Sequence, residues 1–282
     1  MYPAPEGTAL FEHLGAGSVF DVALVQHGGR LLVCKRLNSR ALREPAGRAA
    51  LVREARVLSL VRHPALPELT RVGSDGHGPF ILQTRQPGVS IRSVLEGWQA
   101  RGRRPPRALV NHVVRTALEV LAEIQALCRV DGGGPLGLIH GDITPDHVLL
   151  GPIGDVRFVD LGAARFEGMP ADLATDDRGT LPFVAPEVAR GESAPTQAAD
   201  LYSLAAALAW FTTGEALTRA REEAAALAEI GEHGLLLDPL KDDTTLAAGA
   251  RDVLLRALAR DPDERPCARA LLDALDDEGN ER

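Results

Sequence analysis

At 282 residues and 45% hydrophobic composition, the chain is long enough to bury a large core, as one domain or as two lobes sharing a cleft. A net charge of −8 excludes a general basic field for nucleic acid or an anionic membrane, and three cysteines at unrelated spacing argue against a disulfide framework or a zinc site. No secretion signal is evident in Met1 to Phe11, and the longest apolar run, Leu201 to Thr213, is too short to span a bilayer, so the cytoplasm is the expected location.

From Thr8 to Arg36 apolar and polar residues alternate with glycine punctuation, which predicts a meander of strands with Gly28-Gly29 as a hairpin turn. Leu51, Ala55 and Leu58 recur at helical spacing and predict an amphipathic helix over 46–61, stopped before His63-Pro64. Phe80-Ile81-Leu82 reads as a short strand broken by Pro87-Gly88. Helices then dominate, over 91–100, 107–128, 198–213, 218–230, 247–259 and 267–275. Between the second and third of these, Leu138-Ile139, Val148 to Leu150 and Val156 to Val159 read as short strands around a loop. A strand-rich first third followed by helices is an α+β pattern with two lobes.

Leu14-Gly15-Ala16-Gly17-Ser18-Val19-Phe20-Asp21-Val22 lies between two predicted strands, where glycines let backbone N–H groups approach phosphate oxygens. Lys35 ends the apolar strand Leu32-Val33-Cys34, and Glu54 falls inside the first predicted helix. Of the 31 basic residues all but Lys35 and Lys241 are Arg, so a lysine at this strand end stands out as a compact ammonium. Further on, His140-Gly141-Asp142 opens a loop between short strands, and Asp160-Leu161-Gly162 follows. The first acid is placed to act as a base toward an attacking hydroxyl and the second to ligate magnesium.

Together with Ala185-Pro186-Glu187, Asp200 and Arg265, these motifs resemble, in their order and spacing, those of a bacterial-type serine/threonine protein kinase domain. The resemblance implies a two-lobed fold over residues 8–275, a small β-rich lobe over about 8–85 and a larger helical lobe over about 86–275, with tails at 1–7 and 276–282. It implies ATP and magnesium as cofactors and a protein substrate or regulatory partner, with Lys35, Asp142 and Thr144 catalytic. Gly15, Gly17, Val22, Val33, Lys35, Glu54, Gln83, Thr84 and Arg85 then form the nucleotide site, and Asp160 with His147 the metal site. Arg265 is implied to pair structurally with Glu187, and Thr175 and Thr180 are candidate phosphosites.

Five positions depart from the family pattern. His147 stands in place of a metal-binding Asn, which favours manganese or a single-metal mechanism through Asp160. Thr144 replaces a lysine directed at the γ-phosphate, and Gly141 replaces an Arg that reads a phosphorylated loop. Phe20 occupies the place of a third glycine; for it, as for Val33 in place of a small alanine, the sequence favours a role as apolar lining over a narrowed pocket. Three functions follow: an active serine/threonine kinase, a pseudokinase that binds nucleotide or a partner, and a small-molecule phosphotransferase. The last also uses His-Gly-Asp, but generally without the Ala-Pro-Glu, Asp200 and Arg265 anchors.

Overall fold

A computed structural model of the chain describes residues 2–174 and 179–280; Thr175 lies outside them. The first part is a five-stranded antiparallel sheet of β1 (Ala9–Ala16), β2 (Phe20–His27), β3 (Arg30–Leu37), β4 (Leu69–Asp75) and β5 (Gly78–Thr84), in the order β1-β2-β3-β5-β4. Gly28 and Gly29 form the two-residue β2–β3 turn, His27 facing Arg30. Both have positive φ, 54° and 78°, as the tight turn that matches strand twist requires. The expected first helix is α1 (Pro45–Leu60), with proline in its first turn and Val61 extended before His63-Pro64.

Alternation along β2 and β3 gives the sheet two apolar faces. Ala23, Val25, Leu32 and Cys34 form a small outer cluster with Phe80 and Leu82. Tyr2, from the segment that precedes the predicted domain, caps this cluster and donates its hydroxyl to the Cys34 carbonyl at 3.2 Å. The opposite face carries Phe20, Val22, Val33 and Lys35 toward α1 and the cleft.

The second part is helical: α2 (Ile91–Gln99), α3 (Arg107–Gln125), α4 (Pro186–Ala189), α5 (Gln197–Thr213), α6 (Glu223–His233), α7 (Asp238–Lys241), α8 (Ala248–Ala257) and α9 (Ala268–Asn280). A small sheet of β6 (Val89–Ser90), β7 (Val148–Leu150) and β8 (Val156–Phe158) lies where the two parts meet. α5 is apolar nearly all round and runs through the core; Thr196 caps its start by accepting from Ala199 N, and Gly214 at φ 68° ends it. The α+β class read from the sequence is the class of the fold. No helix among the described residues is long and apolar enough to cross a membrane.

Several boundaries differ from expectation for local reasons. α6 begins at Glu223, not Thr218, because the Glu229 carboxylate accepts from Arg219 N and Ala220 N and holds those residues in a loop. α3 stops at Gln125, since Cys128 bridges Pro135 and Leu136 N bonds the Leu127 carbonyl. Leu138-Ile139 makes a single bridge to Arg165 in place of a strand.

Candidate active site

Lys35 sits opposite Val22 on the cleft face of the sheet. Its ammonium lies 2.6 Å from Glu54 Oε1 on α1 and 2.8 Å from Asp160 Oδ1, joining the sheet, the helix and the loop after β8 through one cation. Lys35 is 3% exposed and Glu54 0%. Burial pulls the lysine's pKa down, but Asp160 and then Glu54 outweigh it and raise the pKa above the ordinary value. Burial pushes Glu54 up against the pull of Lys35, and its second oxygen, Oε2, has no hydrogen-bond partner among the described residues. Asp160 is held far below the usual carboxylate range, because Lys35 and His147 overcome its own desolvation.

Asp160 has a φ of 67°, the one positive value at a non-glycine position among the described residues. A short acid tolerates this conformation when it bonds locally, and Oδ1 accepts from Gly162 N at 3.2 Å. Leu161, between them, is buried in the core.

The loop carrying Asp142 is hung from α5. The Asp200 carboxylate accepts from His140 N at 2.6 Å and Gly141 N at 2.8 Å. Burial lifts its pKa to about 7 despite those two donors. His140 donates from Nε2 to the Val159 carbonyl at 3.1 Å. Burial, then the neighbouring His147, lowers its pKa to about 4, so its ring is neutral at ordinary pH. Gly141 has φ 79°, and a Cβ there would stand 2.5 Å from the Ala163 carbonyl oxygen, so this backbone path has no room for a side chain.

His147 donates from Nδ1 to the Asp142 carbonyl at 2.8 Å, and its Nε2 lies 3.7 Å from Asp160 Oδ2. Thr144 is 2% exposed and its hydroxyl accepts from Asp146 N, so it is turned into the loop and away from the cleft. Gly179 passes close to Asp142, where a Cβ would be 3.6 Å from Asp142 Oδ1.

Between the sheet and this loop lies a cleft of about 340 Å³. Val22, Val33, Lys35, Gln83, Thr84, Arg85, His147 and Asp160 line it, whereas Gly15, Gly17, Glu54, Asp142 and Thr144 do not. Leu24, Leu149 and Val159 also line it and were not singled out in the sequence; the period-2 alternation of β2 would have found Leu24. Gln83 is 3% exposed, with Oε1 buried and without a partner among the described residues.

Two more groups hold the frame. Arg265 forks onto Glu187 through two bonds of 2.7 Å, also donates to the Ala259, Ala198 and Arg260 carbonyls, and lies 4.8 Å over the Tyr202 ring. Arg53, beside Glu54 on α1, is 1% exposed and donates to the Gly162 carbonyl at 2.7 Å and the Leu173 carbonyl at 3.0 Å.

A β-sheet part whose buried strand lysine joins a helix carboxylate and the loop acid Asp160, set beside a helical part, is the frame of a protein kinase fold. The model described as protein kinase domain matches residues 9–275, and the chain belongs to that family. It is similar to a putative cyclin-dependent kinase F-2 of Oryza sativa subsp. japonica, 30% identical over 74% of this chain and 62% of the relative. Serine/threonine-protein kinase PknB of Mycobacterium tuberculosis is 27% identical over 91% of this chain and 40% of its own length. Serine/threonine-protein kinase PknK of Mycobacterium bovis is 29% identical over 78% of this chain and 19% of its own. The chain therefore spans less than two thirds of each of these relatives.

Proposed function

We propose that this chain is an active serine/threonine protein kinase that transfers the γ-phosphoryl group of ATP to a protein hydroxyl. The observation that carries the reading is the Lys35 ammonium held between Glu54 and Asp160, the arrangement that positions the α and β phosphates in this family. Asp142 orients the acceptor hydroxyl: the new oxygen–phosphorus bond forms as the bond to ADP breaks, and the hydroxyl proton passes to the Asp142 carboxylate. The relatives named serine/threonine-protein kinase support serine and threonine as the acceptor class.

The donor set suits a divalent cation shared with phosphate oxygens. Among the described residues no cluster of three or more His, Cys, Asp or Glu side chains could hold a metal alone, and magnesium in such sites takes one or two carboxylates plus phosphate. Asp160 supplies the carboxylate, and His147 Nε2 faces it as a nitrogen donor, which manganese accepts more readily than magnesium. When bound, the cation would neutralise charge developing on the transferred phosphoryl group.

Phosphate transfer from labelled ATP to a generic protein acceptor, measured in magnesium and in manganese for the native chain and Asp142→Asn, tests the assignment. Transfer by the native chain, stronger in manganese and lost in the variant, is expected. Equal rates in both metals would remove His147 from the metal site. Equal rates in both proteins would remove Asp142 as the base, and nucleotide binding without any transfer would make the chain a pseudokinase.

A further inference from the structure

Arg53 and Glu54 are neighbours on α1, and among the described residues they are the two side chains of that helix whose hydrogen bonds leave it. Consecutive residues leave a helix about 100° apart, so the pair can engage two different partners. Glu54 takes the Lys35 ammonium of β3 at 2.6 Å. Arg53 reaches the chain after β8, donating from Nε to the Gly162 carbonyl at 2.7 Å and from Nη1 to the Leu173 carbonyl at 3.0 Å. The bonds then close on themselves: Gly162 N donates to Asp160 Oδ1, which also accepts from Lys35 Nζ at 2.8 Å, and Lys35 donates to Glu54. A ring of four hydrogen bonds thus begins and ends on two adjacent residues of α1. Arg53 is 1% exposed, a costly place for a cation that the helix itself does not require. It is not among the residues lining the cleft, so its effect on a bound nucleotide is exerted through Glu54, Lys35 and Asp160.

We propose that Arg53 is a positioning residue for phosphoryl transfer: by tying α1 to the Gly162 and Leu173 carbonyls it holds Glu54 against Lys35 and keeps the turn that carries Asp160 in register with both. That role rests on the reading of the chain as a protein kinase. An outward shift of α1 has to break the Arg53 bonds and the Glu54–Lys35 pair together, and a shift of the Gly162 turn draws Asp160 away from the same lysine. A guanidinium suits the position where an ammonium does not, because its rigid fork serves two carbonyls at once. Misplacing a positioning group by about 1 Å costs about 100-fold in rate, so a residue outside the cleft can govern transfer.

Transfer from labelled ATP to a generic protein acceptor tests this in the native chain, Arg53→Gln, Arg53→Lys, Glu54→Gln and the double variant Arg53→Gln/Glu54→Gln, with urea unfolding to verify that each is folded. The expected result is a folded Arg53→Gln whose kcat/KM is lowered about 10- to 100-fold. Arg53→Lys, which keeps the charge but cannot fork onto both carbonyls, should lose less. Arg53→Gln should cost much less in the Glu54→Gln background than in the native one, because there the ring is already open. An unchanged rate in folded Arg53→Gln would overturn the role of Arg53 and leave the kinase reading standing. The same factor lost in both backgrounds would also overturn it, leaving Arg53 a brace of the fold alone. Should Arg53→Gln fail to fold, Arg53→Lys with and without Glu54→Gln decides by the same comparison. No transfer by the native chain would overturn the kinase reading, and the role of Arg53 with it.

Discussion

Replacing Lys35 by Met keeps length and apolar volume but removes the cation between two acids. Asp160 is the lesser loss, since its side chain is 37% exposed and water can solvate it. Glu54 is 0% exposed, its Oε2 has no partner among the described residues, and Lys35 is the group that compensates its charge. Removing one member of a buried ion pair costs about 3–5 kcal/mol while the other stays ionised. Glu54 has an escape, because burial already pushes its pKa above the ordinary 4.5 and losing Lys35 pushes it further. A carboxyl raised in the folded state contributes stability that is full below its unfolded pKa and lost as pH rises through the folded one, at about 1.4 kcal/mol per unit. Lys35→Met should therefore be destabilised by about 3 kcal/mol at pH 8 and by about 1 kcal/mol at pH 5. Adding Glu54→Gln should remove most of that pH dependence. Urea unfolding at both pH values in EDTA measures all three proteins against the native chain. An identical loss at pH 5 and pH 8, with no effect of the second substitution, would refute the account of Glu54 as a buried charge dependent on one lysine.

Glu187→Gln should cost about 3–5 kcal/mol in the same assay, because the Arg265 side chain is 0% exposed and would keep its charge without a counter-ion; a loss under about 1 kcal/mol would contradict this. His140, with a pKa lowered from 6.5 to about 4, contributes stability that is full above pH 6.5 and lost as pH falls through about 4. His140→Gln lacks that contribution, so in EDTA its stability relative to the native chain should fall by about 2 kcal/mol between pH 5 and pH 6.5. A constant difference across that range would show that the imidazole is not held neutral.

What the sequence reveals and what it hides follows from where each residue finds its partner. The β2–β3 hairpin was legible because Gly28-Gly29 and the alternation beside it are local, and Lys35, Glu54 and Asp160 because their order is a motif. β4 was missed because it is a sheet edge whose Arg71, Gly73 and Asp75 read as loop and whose Val72 is 53% exposed. Arg53 was invisible for the opposite reason: an arginine in an amphipathic helix reads as a solvated face, yet its acceptors are backbone carbonyls 109 and 120 residues away. No side-chain pattern announces a carbonyl. Tyr2 was set outside the domain because one aromatic among prolines has no period, and only the folded sheet provides the apolar face it covers.

The five departures from the family pattern do not weigh equally once they are placed. Gly141 is required by its backbone path against Ala163, so the absent arginine is tied to this geometry. Arg53 donates from the α1 side to the Gly162 and Leu173 carbonyls. His147 makes the loop bond to the Asp142 carbonyl and also presents a nitrogen to Asp160. Thr144 is turned into its loop, and the Phe20 ring lies 5.3 Å from Lys35 Nζ. Lys35, His147 and Asp160 line the cleft together with Val22, Val33 and the Gln83 to Arg85 segment, whereas Thr144 and Phe20 stay out of it. Of the departures, His147 and Val33 are therefore the two that face the cleft.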